Sequence, residues 1–347
     1  MSCCDEKIDL YWKRDHSRVS RRGLLTGTAG LAAAAAVSGG RAKAQDAVRL
    51  AFCSQLLCVA PYEFTRARGF FEEEGLSVDL VYTRGGNAAM QALVGGAVDY
   101  AATSLDVAAQ AFANEARIRR FAVTGRLPLF ALAVSPGAAD DVRSLADLEG
   151  RTVGVSALGN ADHTTLLYIL AQAGVEPGMV NFAVLGPNLF EALRRGQVAA
   201  GMVQEPALTL IAQEGGEVLF NLMDIEDTTA LFGGAYEFMG VAYRAEERED
   251  RLDQMRRLAR ALARGLEAMR VAPVEEIVAA LPDELLVGGD VERVADIIGR
   301  YRGSLYPESV TIDVDAARRV VEALRAANVI EREIDLDALL DTGAIPA

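Results

Sequence analysis

The side chains that most often make and break bonds are scarce beyond residue 44. Residues 45–347 hold one histidine, His163, two cysteines, Cys53 and Cys58, and no tryptophan, because Trp12, His16, Cys3 and Cys4 all precede them. Two thiols and one distant histidine form an incomplete ligand set for a metal. Cys53 and Cys58 are separated by Ser54-Gln55-Leu56-Leu57; in an oxidising compartment they can close a small disulfide loop, and otherwise they serve as two buried thiols. Gly85-Gly86-Asn87 is no phosphate loop, and no Gly-x-Gly-x-x-Gly follows a strand, so no cofactor is expected. What remains is recognition chemistry, carried by amides, hydroxyls and a few charged side chains.

The elements that must position those groups alternate between strand and helix. Strands are expected over 48–53, 78–82, 100–103 and 120–124, with helices beginning at Pro61, Asn87 and Leu105. The pattern starts afresh with strands over 152–155, 180–184 and 200–203, then an apolar strand over 238–243, and is chiefly helical beyond it (246–270, 274–280, 291–302, 314–327). Residues 84–98 and 184–198 read as two versions of one unit, sharing Gly86/Gly186, Ala92-Leu93/Ala192-Leu193, Gly96/Gly196 and Val98/Val198. Such alternation predicts mostly parallel sheets covered on both faces, and the repeat predicts two similar lobes. Lobe one is expected to contain residues 46–131 plus 241–347, and lobe two residues 132–240, with the chain crossing near Ala133 and Met239. A two-lobed chain without catalytic equipment suits a protein that closes on a ligand.

The amino terminus carries an address. Ser20-Arg21-Arg22-Gly23-Leu24-Leu25 precedes a small-residue, mildly apolar stretch to Gly40, and Ala42-Lys43-Ala44 fits a leader peptidase site. Residues 1–44 thus look like a twin-arginine signal peptide, read by the twin-arginine export machinery and cleaved near Ala44. No cysteine follows to accept a lipid, so a freely diffusing periplasmic protein, and a monomer, is expected. The whole chain has 35 basic and 49 acidic side chains; without the leader's eight basic and four acidic residues, 27 and 45 remain, a net charge of −18. Nucleic acid is a poor partner for that surface.

Ala67-Arg68-Gly69-Phe70-Phe71-Glu72-Glu73-Glu74-Gly75-Leu76, Gly85-Gly86-Asn87, Val98-Asp99, the run from Ser144 through Leu148-Glu149-Gly150-Arg151 to Val155, Glu205-Pro206, and the ending from Ala327-Asn328 to Asp341 together resemble a known group. It is the nitrate/sulfonate/taurine and thiamine-precursor (NMT1/THI5-like) family of ABC-transporter substrate-binding proteins. The resemblance implies a type II periplasmic-binding-protein fold: two α/β lobes joined by two crossover strands, with a ligand cleft between them. It further implies a receptor that captures a small organic anion of sulfonate or carboxylate type and delivers it to an inner-membrane ABC permease. A pyrimidine-type thiamine precursor or an aromatic carboxylate is the alternative ligand, and a ligand-presenting sensor subunit the alternative role. A thiamine-pyrimidine synthase, the enzymatic alternative in this fold, fits least, because such enzymes carry a cysteine cluster and this chain has an export leader.

Ligands of such folds sit beyond the carboxyl ends of parallel strands. That rule nominates Ser54 and Gln55 after the first strand, Gly86 and Asn87 at the repeat helix, Thr103 and Ser104 before the next helix, and Asn160 and His163 in the second half. Helix N-termini there would favour an anion. Arg126 is the candidate charged clamp or else a solvated arginine, and Tyr236 the candidate aromatic wall. Glu205 argues for a ligand donor or cation unless it pairs with an arginine. Asn87, Asn160 and Ser104 can equally be helix caps, and His163 a capping or surface group.

Overall fold

The computed structural model describes residues 45–286 and 290–345; the paired arginines and the cleavage signal lie outside the described residues. The first half runs β1 (Asp46–Cys53), α1 (Leu56–Ala67), α2 (Phe70–Glu73), β2 (Leu76–Thr83), α3 (Gly86–Val94), β3 (Tyr100–Ser104), α4 (Leu105–Ala113) and β4 (Ile118–Val123). The second runs β5 (Ala131–Val134), β6 (Thr152–Val155), α5 (Ala161–Gln172), β7 (Asn181–Val184), α6 (Leu189–Arg194), β8 (Ala200–Val203), α7 (Ala207–Gln213), β9 (Val218–Asn221) and α8 (Ile225–Phe232). Then β10 (Met239–Arg244) leads to α9 (Arg248–Val271), α10 (Val274–Ala279), α11 (Val291–Leu305), α12 (Val314–Ala326) and α13 (Leu336–Leu339).

Among the described residues ten strands form two sheets with one design, ordered β2-β1-β3-β10-β4 and β7-β6-β8-β5-β9. β10 is antiparallel to both its neighbours in the first sheet, and β5 to both of its neighbours in the second; the remaining pairs are parallel. The first sheet takes β10 from beyond the second half, whereas the second sheet is made of the consecutive strands β5 to β9; the chain links the halves on entering β5 and again on entering β10. α3 and α6 occupy matching places, each following the strand at a sheet edge and preceding the third strand. Both end at a glycine in the left-handed region, Gly96 (φ 75°) and Gly196 (φ 68°), a conformation that favours a residue without Cβ. The copies differ at their start: Pro187 lies within a short 3-10 turn (Gly186–Asn188), so α6 begins only at Leu189.

Caps and apolar stripes fix the helices. Asp313 accepts from the backbone N–H groups of Asp315 and Ala316 at 3.0 Å each, opening α12, and Asp290 caps α11 through Arg293 N at 2.9 Å. α9 buries Met255, Leu258, Leu262, Leu266 and Met269 against α1 and α2, the 3.6-residue spacing of an amphipathic helix. α12 packs on both α4 and α5, so the carboxyl-terminal segment touches helices of both halves. Among the described residues no helix is long and apolar enough to cross a membrane.

Candidate functional site

The carboxyl ends of the parallel strands face a cleft between the two sheets. Residues that directly follow strands line it: Arg84 after β2, Ser156 after β6 and Gln204 after β8, joined by Thr103 and Ser104 at the end of β3. Cys53, at the end of β1, forms a disulfide with Cys58 in α1, and both line the cleft. This settles the cysteine pair as a bridge, with Gln55 held in its short loop. Phe130 and Phe238, which flank the two crossings, meet edge to face at 5.9 Å and supply the aromatic wall. The cleft encloses about 480 Å³, its open mouth included.

One corner of this cleft gathers a helix start, hydroxyls and a cation. α3 opens on Gly86, whose N–H has no acceptor within the helix because it lies in the first turn. The Thr103 hydroxyl is buried beside it and has no hydrogen-bond partner among the described residues. A Cβ on Gly86 would come within 2.5 Å of that Thr103 Oγ1, so the close approach requires glycine. Ser104 caps α4, accepting from Val107 N at 3.3 Å while lining the cleft. Arg84 is exposed at the same rim, and its guanidinium pairs with no carboxylate among the described residues. Helix N-termini, free hydroxyls and a cation at one place attract an oxyanion.

A fully buried arginine holds this corner in place. Arg120 of β4 donates to the carbonyls of Thr103 at 3.2 Å and Phe238 at 2.6 Å, both cleft residues, and its Nε lies 3.5 Å from Glu237. Gly240 makes room, since a side chain there would run into the guanidinium and the Ala122 carbonyl. Burial pushes the Glu237 carboxyl up to about 7, opposed by Arg120, and burial lowers the pKa of Arg120 itself. Asp162, which accepts from Ser156 Oγ at 2.8 Å, is pushed up to about 6 by the same cause.

The halves touch along one side of the cleft. Asn87 N donates to Asn160 Oδ1 at 3.4 Å, Gln110 Nε2 donates to the Gly159 carbonyl at 2.9 Å, and Asn160 Nδ2 reaches Ser156 Oγ at 3.0 Å. Asn160 stands at the N-cap position of α5, yet its side chain makes these contacts in place of a cap. Of the residues nominated from sequence, Gln55, Gly86, Thr103, Ser104 and Asn160 line the cleft, and Glu205 lines a neighbouring compartment.

The others stand elsewhere. Arg126, expected as a clamp, donates from Nε to the Ser304 carbonyl at 2.8 Å and from a terminal nitrogen to Gly303 at 2.7 Å, so it caps the end of α11. Tyr236 is buried and gives its hydroxyl to Asp106 at 2.7 Å; the aromatic walls are Phe130 and Phe238 instead. His163 Nδ1 accepts from Gly159 N at 3.3 Å with its ring edge-to-face on Phe182, and burial lowers its pKa. Ser54 is exposed beside the disulfide, and Asn87 serves the contact between halves. Glu205, whose peptide bond to Pro206 is cis, is held by Thr209, its carboxylate accepting from Thr209 N at 3.0 Å and Thr209 Oγ1 at 2.9 Å; burial raises its pKa, opposed by these bonds, by the Arg300 charge and by Tyr301. Among the described residues no cluster of three or more His, Cys, Asp or Glu side chains could hold a metal ion.

Two sheets of matched topology, two crossing strands and a cleft at the strand ends define a periplasmic binding protein fold. Solved structures share it. A Bordetella bronchiseptica RB50 protein superimposes with a TM-score of 0.78 at 25% identity, covering 86% of this chain and 96% of its own. A Candida albicans gene product described as having the generic periplasmic binding protein fold gives 0.68 at 16% identity (85% and 96% covered). The periplasmic aliphatic sulphonate binding protein SsuA from Escherichia coli gives 0.63 at 18% identity (84% and 96%). The profile of the NMT1/THI5-like family matches residues 59–276, and the chain belongs to that family. A search of curated protein sequences found no match.

Proposed function

We propose that this protein is a non-catalytic, monomeric receptor of the periplasm. It leaves the cytoplasm by the twin-arginine route, loses its leader near Ala44, captures a small organic anion of sulfonate or carboxylate type, and hands it to an inner-membrane ABC permease. The observation that carries this reading is the corner where the first turn of α3, the unpartnered Thr103 hydroxyl and the unpaired Arg84 converge inside the cleft between the halves. Family membership and the sulphonate ligand in the name of the Escherichia coli protein support it. The edge-to-face pair of Phe130 and Phe238 favours one variant of it, an aromatic carboxylate.

Thermal denaturation against sulfonates, aliphatic and aromatic carboxylates, nitrate and pyrimidine precursors tests the proposal. A ligand at 100 times its Kd adds about 2.7 kcal/mol, which raises Tm by about 5 to 11 °C at roughly 2 to 4 °C per kcal/mol. A selective shift by an anion recovered unchanged is expected. A shift by neutral pyrimidines alone, or turnover of the compound, sinks the anion-receptor reading.

A further inference from the structure

Cys53 ends β1 and Cys58 lies in the first turn of α1, so their bridge ties a strand end to a helix start across Ser54-Gln55-Leu56-Leu57. A loop this short constrains the unfolded chain less than one that joins distant segments, and the two elements it joins are already consecutive. The body of α1 has other anchors: it packs on α9, and the Leu57 carbonyl accepts from the Tyr306 hydroxyl at 2.9 Å. What the bridge adds is a covalent hold on the turn at Gln55, which lines the cleft and stands at the N-cap of α1 without making a side-chain cap bond. Both cysteines line the same cleft, yet Cys53 keeps only 8% and Cys58 2% of its surface. The bridge therefore sits in the cleft wall, where a ligand covers it and where a reductant must enter to reach sulfur.

We propose that the Cys53–Cys58 bridge is a redox-controlled positioning element: closed, it holds Gln55 and the first turn of α1 in the geometry that captures the ligand, and opened, it releases them and weakens capture. This rests on the anion-receptor reading for what is captured. The bridge opens by exchange with a dithiol. One thiolate of the reductant attacks a bridge sulfur, the S–S bond breaks, and the other cysteine leaves as a thiolate. The reductant's second thiolate then attacks the mixed disulfide, frees the remaining cysteine and ends in a cyclic disulfide. Two electrons and two protons thus pass from the dithiol to Cys53 and Cys58, and a disulfide oxidant restores the bridge by the reverse exchange. Linkage makes the effect reciprocal: the factor by which opening weakens binding is the factor by which bound ligand opposes opening.

Titration calorimetry on the leader-free protein with methanesulfonate, ethanesulfonate, butyrate and benzoate tests this, in the oxidised form, after reduction with dithiothreitol and desalting under nitrogen, and after reoxidation. Loss of one positioned hydrogen bond to a charged ligand weakens binding about tenfold or more, so Kd should rise by that factor on reduction and return on reoxidation. Cys53→Ser/Cys58→Ser should sit at the weak value and ignore dithiothreitol. A second measurement needs only the native protein and decides the matter even if the open form unfolds. Reduction by dithiothreitol, followed by thiol release, should slow as the tightest of the four anions fills the cleft, which a bridge with a merely structural role would not show. Equal Kd in the three forms, or reduction as fast in saturated protein as in free protein, overturns the proposal while the receptor reading stands. If the oxidised protein binds none of the four, the anion reading falls and takes this proposal with it.

Discussion

Asp106 is the side chain where three parts of the chain meet. Its Oδ1 accepts from Tyr236 at 2.7 Å and from Thr164 at 3.5 Å, while Oδ2 is buried with no partner among the described residues. Burial raises its pKa from 3.8 to about 6, against the lowering effect of the Tyr236 bond. A carboxyl whose pKa is higher folded than unfolded favours the fold fully below about pH 4, and that contribution is lost as pH rises through 6. Asp106→Asn keeps an acceptor for Tyr236 and removes the titration. Between pH 4 and pH 8 the native protein should therefore lose on the order of 2–3 kcal/mol relative to the variant, read from urea midpoints. A pH-independent difference would mean the carboxyl does not titrate in that range. At this scale the sequence was legible in part. The strand-end rule leads to Gln55, Gly86 and Ser104, and applied to every strand it also reaches Arg84, Ser156 and Gln204. It fails at Arg126 and Tyr236, because the carbonyls of Gly303 and Ser304 and the carboxylate of Asp106 lie far away along the chain and become neighbours only in the fold.

The contact between α1 and α9 depends on a missing side chain. Gly265 packs so close to Thr65 that an added Cβ would collide with the threonine hydroxyl and Cβ, and Thr65 is pinned by its bond to the Pro61 carbonyl at 2.6 Å. Gly265→Ala should push the helices apart and cost about 1–3 kcal/mol, seen as a lower urea midpoint; an unchanged midpoint would show that α9 shifts freely. Elements with strong periodicity or apolar runs were readable in advance. β6 and β8 span the expected 152–155 and 200–203, and α9 lies within one or two residues of 246–270. The region holding α7, β9 and α8 gives little signal in the sequence, because β9 is four residues long, flanks its sheet and buries fully only Phe220. Such a segment carries neither alternation nor a long apolar run. The proline signal places a helix start at Pro61, whereas α1 begins at Leu56 and carries the proline within its second turn.

For the molecule as a whole, ligand capture should be felt where the halves meet. Asn87, Gln110, Gly159 and Asn160 form a polar seam beside the anion corner. Saturation with whichever anion raises Tm is expected to slow amide exchange in residues 85–90 and 157–164, with α1 and α9 unchanged. Equal slowing everywhere would mean general stabilisation without engagement of the seam. The sheet order has a separate consequence, for synthesis. A ribosome that has finished residue 221 has delivered all five strands of the second sheet, β5 to β9. The first sheet, begun earlier, still lacks β10, and without it β4 has no neighbouring strand to pair with. The half encoded in the middle of the gene can therefore complete its sheet before the half encoded at the start, and a nascent chain released before residue 239 would keep an unpaired edge on β3 and a stranded β4, the surfaces on which unfinished chains aggregate.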